Sequence, residues 1–279
     1  MKIMEWPIDP SLAQGEDYRG NQLLAQNISV KGYDAILEEY VYITPSDIKE
    51  IISAVPYAWD SFHGQGIDLG GGVACISSTI ACKESVENII CVEVTEDVVR
   101  LCQPVVISTI LGSEQQKVTP CIGDFNNLHL GPQSIDFAVA WGSLHHSYQL
   151  VETLIECKRV LKPDGNLIVV ERAHDNSTTQ NKIEDLLNIE YPEDFLRKTY
   201  RDPSMRLTRR DNGEHEYRYD DWSKAFRQAG FEIKSARVIR SDSSNNVPVN
   251  DAGIPEVHLG AKLGGFLTSK VGYLLSPSS

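Results

Sequence analysis

The sequence has no long apolar run and no pair of cysteines at metal-ligand spacing. No apolar stretch approaches the roughly 20 residues that cross a bilayer, so we predict no membrane span. The N-terminus, with Glu5 and Asp9, does not resemble a signal peptide. The cysteines are scattered through apolar segments, which predicts reduced core thiols in a cytoplasmic protein. These six cysteines are Cys75, Cys82, Cys91, Cys102, Cys121 and Cys157.

Basic residues are fewer than acidic ones. The chain has 26 Lys and Arg against 39 Asp and Glu, a formal net charge of −13. An acidic surface repels a phosphate backbone, so double-stranded nucleic acid is not an expected partner. The best basic cluster, Arg206 with Arg209 and Arg210, is followed by acids, and we interpret it as a solvated loop. The 279 residues, 41% of them hydrophobic, suffice for one large α/β domain or a core with an appendage.

Three consecutive glycines, Gly70, Gly71 and Gly72, follow Asp68 in the stretch Q-G-I-D-L-G-G-G-V-A. Glycines permit positive φ and a close approach of a ligand, and the N-terminus of a following helix favours negative charge. A carboxylate at position 68 would repel a pyrophosphate, but it suits a ligand with an ammonium or sulfonium group beside a carboxylate. S-adenosyl-L-methionine (SAM) is such a ligand.

This stretch resembles motif I of the class I, Rossmann-like SAM-dependent methyltransferases, written (D/E)-x-G-x-G-x-G. Asp68, Gly70 and Gly72 match the pattern, and Ala74 stands where a third glycine is common. The family's fourth-strand motif is similar to D-F-A-V-A-W-G-S-L-H-H, and its later helix, turn and fifth strand are similar to E-C-K-R-V-L-K-P-D-G-N-L-I-V-V-E. The resemblance covers residues 65 to 172 closely and extends loosely to 239, and it implies SAM as cofactor.

Strand and helix patterns alternate after residue 65. Apolar runs predict strands at 66–69, 88–94, 118–124, 135–141 and 167–170, with a turn at 162–165 and a sixth strand at 231–239. This alternation implies right-handed crossovers and a parallel sheet. We therefore predict an α/β fold: a Rossmann-like, doubly wound, mostly parallel sheet with an N-terminal helical lid and an insertion after the fifth strand.

The flanks define three predicted regions. Residues 1–60 form the lid, with a mobile beginning followed by two amphipathic helices around 33–40 and 48–55. Residues 61–240 form the SAM-binding core with a polar insertion at about 173–219, which shows short helical patterns at 183–189 and 193–196. The tail, 241–279, either completes the sheet with an antiparallel strand or docks elsewhere.

Acids follow successive predicted strands, where open α/β sheets bind ligands. Glu93 is placed to bind both ribose hydroxyls, and Asp124 is placed to accept a hydrogen bond from the adenine amino group while Phe125 packs on the ring. Residues 141 to 143 border the methyl donor. The predicted cofactor-binding residues are Asp68, Leu69, Gly70, Gly71, Gly72, Glu93, Val94, Asp124, Phe125, Trp141, Gly142 and Ser143.

Three histidines are the candidate catalytic residues. Methyl transfer from a sulfonium is an in-line displacement, and a base is needed only for a hydroxyl or a protonated amine. His145 and His146 follow the fourth strand of the resembled motif, and His215 lies in the insertion between Glu214 and Glu216. Adjacent residues on one segment rarely converge on one ion, so we predict no metal site in that run.

The preferred function is methyl transfer from SAM to a small-molecule acceptor, with a hydroxyl of a sugar or secondary metabolite favoured. The first alternative is a nicotinamide-dependent oxidoreductase, which Asp68 disfavours. The second is a catalytically silent SAM-binding subunit of a protein complex. The sequence leaves the oligomeric state and the identity of the acceptor open.

Overall fold

The computed structural model describes residues 1–240, 250–259 and 270–278. One sheet runs through these residues, with helices packed on both faces. Its strands are β1 (Met4–Glu5), β2 (Gly64–Leu69), β3 (Val86–Glu93), β4 (Val118–Ile122), β5 (Ile135–Trp141), β6 (Leu161–Arg172), β7 (Phe231–Arg240), β8 (Glu256–His258) and β9 (Lys270–Pro277). The α-helices are α1 (Glu16–Ile28), α2 (Tyr33–Ile36), α3 (Pro45–Ala54), α4 (Cys75–Ala81), α5 (Gln103–Leu111), α6 (Leu150–Val160), α7 (Gln180–Leu187), α8 (Glu193–Lys198) and α9 (Tyr219–Gln228).

The strand order is β1-β4-β3-β2-β5-β6-β9-β7-β8, and the first six strands of this order are parallel. Only β9 runs antiparallel to its neighbours, β6 and β7, among the residues described. The chain moves outward from β2 to β3 and β4 and then returns to β5, so the order switches between β2 and β5. This switch places the carboxyl ends of β2 to β6 around one crevice. The predicted fold class is confirmed.

The N-terminal region holds more structure than the sequence predicted. The expected mobile beginning is wrong, because β1 pairs with the edge strand β4 and α1 forms a third lid helix ahead of α2 and α3. The sequence did not predict α1, because Gly20 lies in the middle of it and glycine is a poor helix former. A Cβ atom there would lie 1.6 Å from Nη2 of Arg201, so the guanidinium occupies the space that a side chain would need. The helix α3 begins with a capping box formed by Thr44 and Asp47.

Two further local predictions need correction. The sequence predicts a turn at residues 162 to 165, but these residues form a bulge within β6. Leu161 pairs with Ile135, and the next paired residue, Asn166, pairs with Phe137 only two positions further along β5. The helix after β3 does not run evenly either. It begins as a π-helical turn, Val98–Cys102, and becomes α-helical at Gln103, next to Pro104.

Two apolar cores lie on opposite faces of the sheet. The lid helices and α4 and α5 cover one face, and α6 and α9 cover the other. Five of the cysteines are buried and none is paired, but Cys82 is exposed at the end of α4, which corrects the prediction of a core position for it. Within the three described ranges, no helix combines the length and apolarity needed to cross a bilayer.

The insertion between β6 and α9 carries α7 and α8, close to the two short helical patterns of the sequence. Of the two outcomes left open for the tail, the sheet receives it: Lys270–Pro277 forms β9 between β6 and β7. The rest of the predicted tail, 241–249, 260–269 and 279, lies outside the described residues.

Candidate functional site

The glycine turn after β2 takes a conformation that few side chains tolerate. Gly70 has φ +72° and Gly72 has φ +51°, both in the left-handed region. A Cβ atom at Gly70 would lie 2.6 Å from Cβ of Ser143, so the β2 and β5 loops touch here. Ala74, which precedes α4, also has a left-handed φ of +66° and carries the steric cost of a Cβ in that region. The turn therefore brings the backbone of Gly70, Gly71 and Gly72 to the wall of a cavity that a ligand can enter.

Asp68 ends β2 as a buried carboxylate. Its side chain accepts a hydrogen bond from the Ser77 hydroxyl at 2.6 Å and, within the described part of the chain, contacts no basic side chain. Burial raises the pKa of Asp68 to about 7, against the lowering effect of Ser77. An ammonium group in the cavity would complete the pair that the protein itself leaves incomplete.

Glu93 ends β3 on the other side of the glycine turn. It accepts hydrogen bonds from the backbone N–H of Gly72 at 3.2 Å and of Thr95 at 2.8 Å. Burial raises the pKa of this carboxyl as well. These bonds fix the carboxylate at the rim of the turn, about 20 residues past the glycines, where a dinucleotide-type fold binds ribose hydroxyls.

Asp124 and Phe125 lie just beyond the end of β4. The Asp124 carboxylate accepts hydrogen bonds from the backbone and side-chain amides of Asn126, at 2.8 and 2.6 Å, and from the Tyr148 hydroxyl at 3.4 Å. Phe125 reaches the glycine turn, since its ring edge would lie 3.5 Å from a Cβ atom at Gly70. A carboxylate and an aromatic ring thus stand together at the third strand end.

A buried glutamate organises the loop after β5. Glu171, at the end of β6, accepts hydrogen bonds from the backbone N–H of Ser143 and of Leu144, each at 2.8 Å, and contacts Nδ1 of His145 at 2.8 Å. Burial opposes ionisation of Glu171, but His145 and the charges of Lys270 and Arg172 outweigh it and keep the pKa of this carboxyl below its usual range. Burial lowers the pKa of His145. The contact with Glu171 fixes the orientation of the imidazole.

His146 and Glu214 lie beside His145. Nδ1 of His146 contacts the carbonyl oxygen of Gly213 at 3.1 Å, and Nε2 of His145 lies 3.5 Å from a carboxylate oxygen of Glu214. One ligand atom from each of His145, His146 and Glu214 lies within 4.8 Å of the others. This set differs from the adjacent run at 214 to 216 that the sequence drew attention to.

His215 does not take the catalytic place predicted for it. Its Nδ1 contacts the backbone oxygen of His145 at 2.8 Å, and its side chain is not part of the cavity wall. Glu216 turns the other way and contacts Nε2 of His174 at 2.7 Å. Alternate side chains of this extended segment point to opposite sides, which separates 214 from 215.

The prediction for Arg209, in the insertion, also needs correction. This residue was interpreted as part of a solvated loop, but it is half-buried and bonds to the carboxylate of Glu216, while Arg172 bonds to Glu214. Burial opposes ionisation of Glu214, and Arg172 lowers the pKa of this carboxyl to about 2. These ion pairs join the end of β6 to the insertion.

One cavity of about 800 Å³ connects these groups, a size typical of small-ligand sites. It brings together all but one of the predicted cofactor residues. The exception is Leu69, whose fully buried side chain packs in the core and whose backbone oxygen accepts a hydrogen bond from the Ser143 hydroxyl at 2.5 Å. The lid and the insertion close the cavity from above, with Tyr18, Tyr40, Tyr42, Tyr191, Phe195 and Arg201 in its wall.

Sequence reasoning missed Glu171, Arg172 and Lys270, which the structure places at this site. Glu171 follows the apolar run V-V-E at the end of β6, so the rule that selected Glu93 would also have selected it. Lys270 comes from a distant strand inserted beside β6, and no local pattern signals its place.

The sequence matches the family model described as a methyltransferase domain over residues 67–169. This match begins in β2 and ends in β6, so it covers the glycine turn and the strand ends that carry Asp68, Glu93 and Asp124. No protein of curated function shows a significant sequence match to the chain.

Several solved structures share the fold. A methyltransferase candidate from Bacillus halodurans aligns with a TM-score of 0.54 and 16% identity over 84% of this chain and 99% of its own. A SAM-dependent methyltransferase from Leishmania major gives 0.57 and 11% identity over 97% and 87%. The mitomycin 7-O-methyltransferase gives 0.51 and 12% identity over 83% and 53%. At these identities the likeness is one of fold.

Proposed function

We propose that this chain, whose residues 67–169 match a methyltransferase domain, is a class I, SAM-dependent methyltransferase that transfers the methyl group of SAM to a hydroxyl of a small molecule, such as a sugar or a secondary metabolite. The observation that carries the assignment of the site is Asp68, a buried carboxylate without a basic partner in the described chain, facing the cavity beside the glycine turn. The methyltransferase domain replaces the nicotinamide-dependent alternative.

The cofactor fits the groups around the cavity. Asp68 would bind the ammonium group of the methionine part, Glu93 the ribose hydroxyls, and Asp124 the adenine amino group. Gly70 and Gly72 leave room for the ligand against the backbone, because a side chain at Gly70 would strike Ser143. When bound, SAM supplies an electrophilic methyl group on a sulfonium.

The residues around the rest of the cavity favour a polar acceptor with a ring. Tyr18 and Tyr40 come from the lid, and Tyr191 and Phe195 come from the insertion. Aromatic rings offer flat apolar contact, and tyrosine hydroxyls add hydrogen bonds. This combination suits a sugar or a cyclic metabolite, and it supports lid and insertion as the regions that select the acceptor.

For a hydroxyl acceptor the reaction must also dispose of a proton. The acceptor oxygen would form the bond to the methyl carbon as the carbon–sulfur bond breaks with its electron pair on sulfur, and the hydroxyl proton would pass to an imidazole nitrogen or to solvent water. His145 and His146 both line the cavity, and their Nδ1 atoms are engaged by Glu171 and Gly213. We assign these two imidazoles to activation of the hydroxyl.

The remaining parts of the proposal concern location and partners. Six unpaired thiols are what a reducing compartment favours, which supports a cytoplasmic protein. The net charge of −13 argues against double-stranded nucleic acid as a substrate.

Calorimetry with SAM and S-adenosylhomocysteine tests the cofactor site. We expect micromolar binding by the intact chain and at least a tenfold loss in Glu93→Gln, which removes the ribose-binding charge. Glu87→Gln is the matched control, because Glu87 lies on the same strand β3 but bonds to Gln65, away from the cavity. Absence of binding by the unmodified protein would contradict the proposal.

Turnover is tested separately, by mass spectrometry of a panel of hydroxylated sugars and cyclic metabolites incubated with the protein and SAM. We expect a mass gain of one methylene unit on at least one hydroxyl compound. Tight SAM binding with no methylation of any compound would favour the silent subunit instead.

A further inference from the structure

We propose that His145, His146 and Glu214 form a binding site for one divalent transition-metal ion, with Zn²⁺ as the preferred ion, on the cavity wall that faces the acceptor. The inference rests on the proposed function only for the role of the ion; the site itself rests on the positions of three side chains. Their ligand atoms lie within 4.8 Å of one another.

The hydrogen bonds of the two rings leave both Nε2 atoms without a proton. Nδ1 of His146 contacts the carbonyl oxygen of Gly213, which can only accept a hydrogen bond, so Nδ1 carries the proton. Nδ1 of His145 contacts the carboxylate of Glu171, which already accepts two backbone N–H groups. A carboxylate or a carbonyl behind Nδ1 is the arrangement that orients metal-binding histidines.

The contact between His145 and Glu214 leaves room for an ion between its two atoms. Nε2 of His145 faces a carboxylate oxygen of Glu214 at 3.5 Å. Two ligand atoms that each bind one tetrahedral zinc ion at about 2.1 Å lie about 3.4 Å apart. The observed separation therefore fits an ion held by both atoms.

The surroundings hold Glu214 in place as a ligand. The Tyr191 hydroxyl donates a hydrogen bond to its other oxygen at 3.0 Å, and Arg172 bonds to the oxygen that faces His145. Arg209 reaches the same oxygen more distantly, with its Nη2 at 3.5 Å. Three acids, Glu171, Glu214 and Glu216, lie among three basic side chains, Arg172, Arg209 and Lys270.

Two imidazoles and one carboxylate are one of the ligand sets that proteins supply to catalytic zinc ions. Such sites keep a fourth coordination position for water or substrate. Mg²⁺ and Ca²⁺ prefer oxygen ligands, so this set does not favour them. Here the open position would face the acceptor. With an ion held there, His145 and His146 would act as its ligands rather than as bases, and the ion would lower the pKa of a bound hydroxyl, whose proton would pass to solvent water.

The test is direct metal binding by the full-length protein without SAM or acceptor. After dialysis against a chelator, Zn²⁺ is titrated by calorimetry, and Co²⁺ is added to a second sample to record visible absorption bands. We expect one equivalent of Zn²⁺ per chain and a Co²⁺ spectrum typical of low coordination number. Less than a tenth of an equivalent of Zn²⁺, or a Co²⁺ spectrum of the aqueous ion, would overturn the proposal.

Variants locate the site. His146→Ala and Glu214→Gln are each expected to lower Zn²⁺ affinity more than a hundredfold, and Glu171→Gln, which acts through His145, by about 10- to 100-fold. His174→Ala is the matched control, because His174 also contacts a glutamate but lies outside the three-residue set. Equal Zn²⁺ affinity in His146→Ala and His174→Ala would refute the site as assigned.

The same samples separate this inference from the proposed function. SAM binding is measured on the metal-free protein, where we expect it to persist because Asp68 and Glu93 lie outside the metal set. Metal binding without SAM binding would support this site and contradict the methyltransferase proposal. SAM binding without metal binding would do the reverse.

Discussion

Replacing Asp68 by asparagine should stabilise the SAM-free protein while it removes SAM binding. The pKa of Asp68 is about 7 in the folded chain, against an ordinary value of 3.8, because the carboxyl is buried without a basic partner in the described chain. At about 1.4 kcal/mol for each pH unit of difference, ionisation costs the folded state up to about 4 kcal/mol. Asparagine keeps the shape and the contact with Ser77 but carries no charge.

The sign follows from where the proton binds. Below pH 4 the carboxyl is protonated in both the folded and the unfolded chain, and it contributes nothing. Between pH 4 and 7 the unfolded chain ionises first, so this group lowers the stability of the SAM-free protein as the pH rises, and the loss is complete above pH 7. The gain from Asp68→Asn should therefore be absent at pH 4 and largest at pH 8.

Thermal unfolding at pH 8 without SAM measures the effect. We expect the Tm of Asp68→Asn to rise by on the order of 5–10 °C for a chain of this size. SAM should raise the Tm of the unmodified protein but leave that of the variant unchanged, because the ammonium group loses its counter-charge. The affinity of the unmodified protein for SAM should also fall as the pH drops below 7.

Asp136→Asn is the matched control, since the same substitution there should destabilise. Asp136, on β5, pairs with Lys162 at 2.6 Å and accepts a bond from the backbone of Gln65, and its pKa is lowered although burial opposes this. If Asp68→Asn lowers the Tm as Asp136→Asn does, and SAM still binds, the reasoning about the incomplete ion pair is refuted.

Three further outcomes are expected. Gly20→Ala, normally stabilising by about 1 kcal/mol in a helix, should lower the free energy of unfolding because its Cβ would lie 1.6 Å from Arg201. Gly131→Ala, where a Cβ would have no atom within 4 Å, should leave it unchanged. Equal free energies of unfolding for the two variants in a denaturant titration would contradict this. Ala74→Gly should leave SAM binding intact and change the free energy of unfolding by less than about 1 kcal/mol, because relief of its left-handed φ offsets the added freedom of the unfolded chain; a larger loss would refute this. Cys82 should be the single thiol that a small disulfide reagent labels rapidly in the native protein, and rapid labelling of two or more thiols would contradict its being the one exposed cysteine.

The strands and most helices of the core could be predicted because their signals are local. β5, Ile135–Trp141, is apolar along its length since both faces are covered, and Thr44, Pro45 and Asp47 mark the start of α3. The elements that the sequence did not predict depend on residues far away in the chain. The helix α1 contains Gly20, whose space is filled by Arg201, and the bulge at 162 to 165 is set by pairing with β5.

The candidate site divides in the same way. Asp68, Glu93 and Asp124 could be selected because each follows its own strand, and parallel strands bring their carboxyl ends to one edge. Glu214 and His215 could not be told apart, because only the docking of the insertion decides which one faces the cavity.

By itself the sequence determined the α/β class, the glycine turn beside Asp68 and the acids at successive strand ends, because backbone conformation and strand periodicity are properties of neighbouring residues. Only the tertiary structure decided that Glu171 fixes His145, that Glu214 joins the two histidines and that β9 inserts beside β6. These contacts join residues that are 26, 69 and about 100 positions apart along the chain, and a contact over such a separation depends on how the whole sheet and its insertion pack.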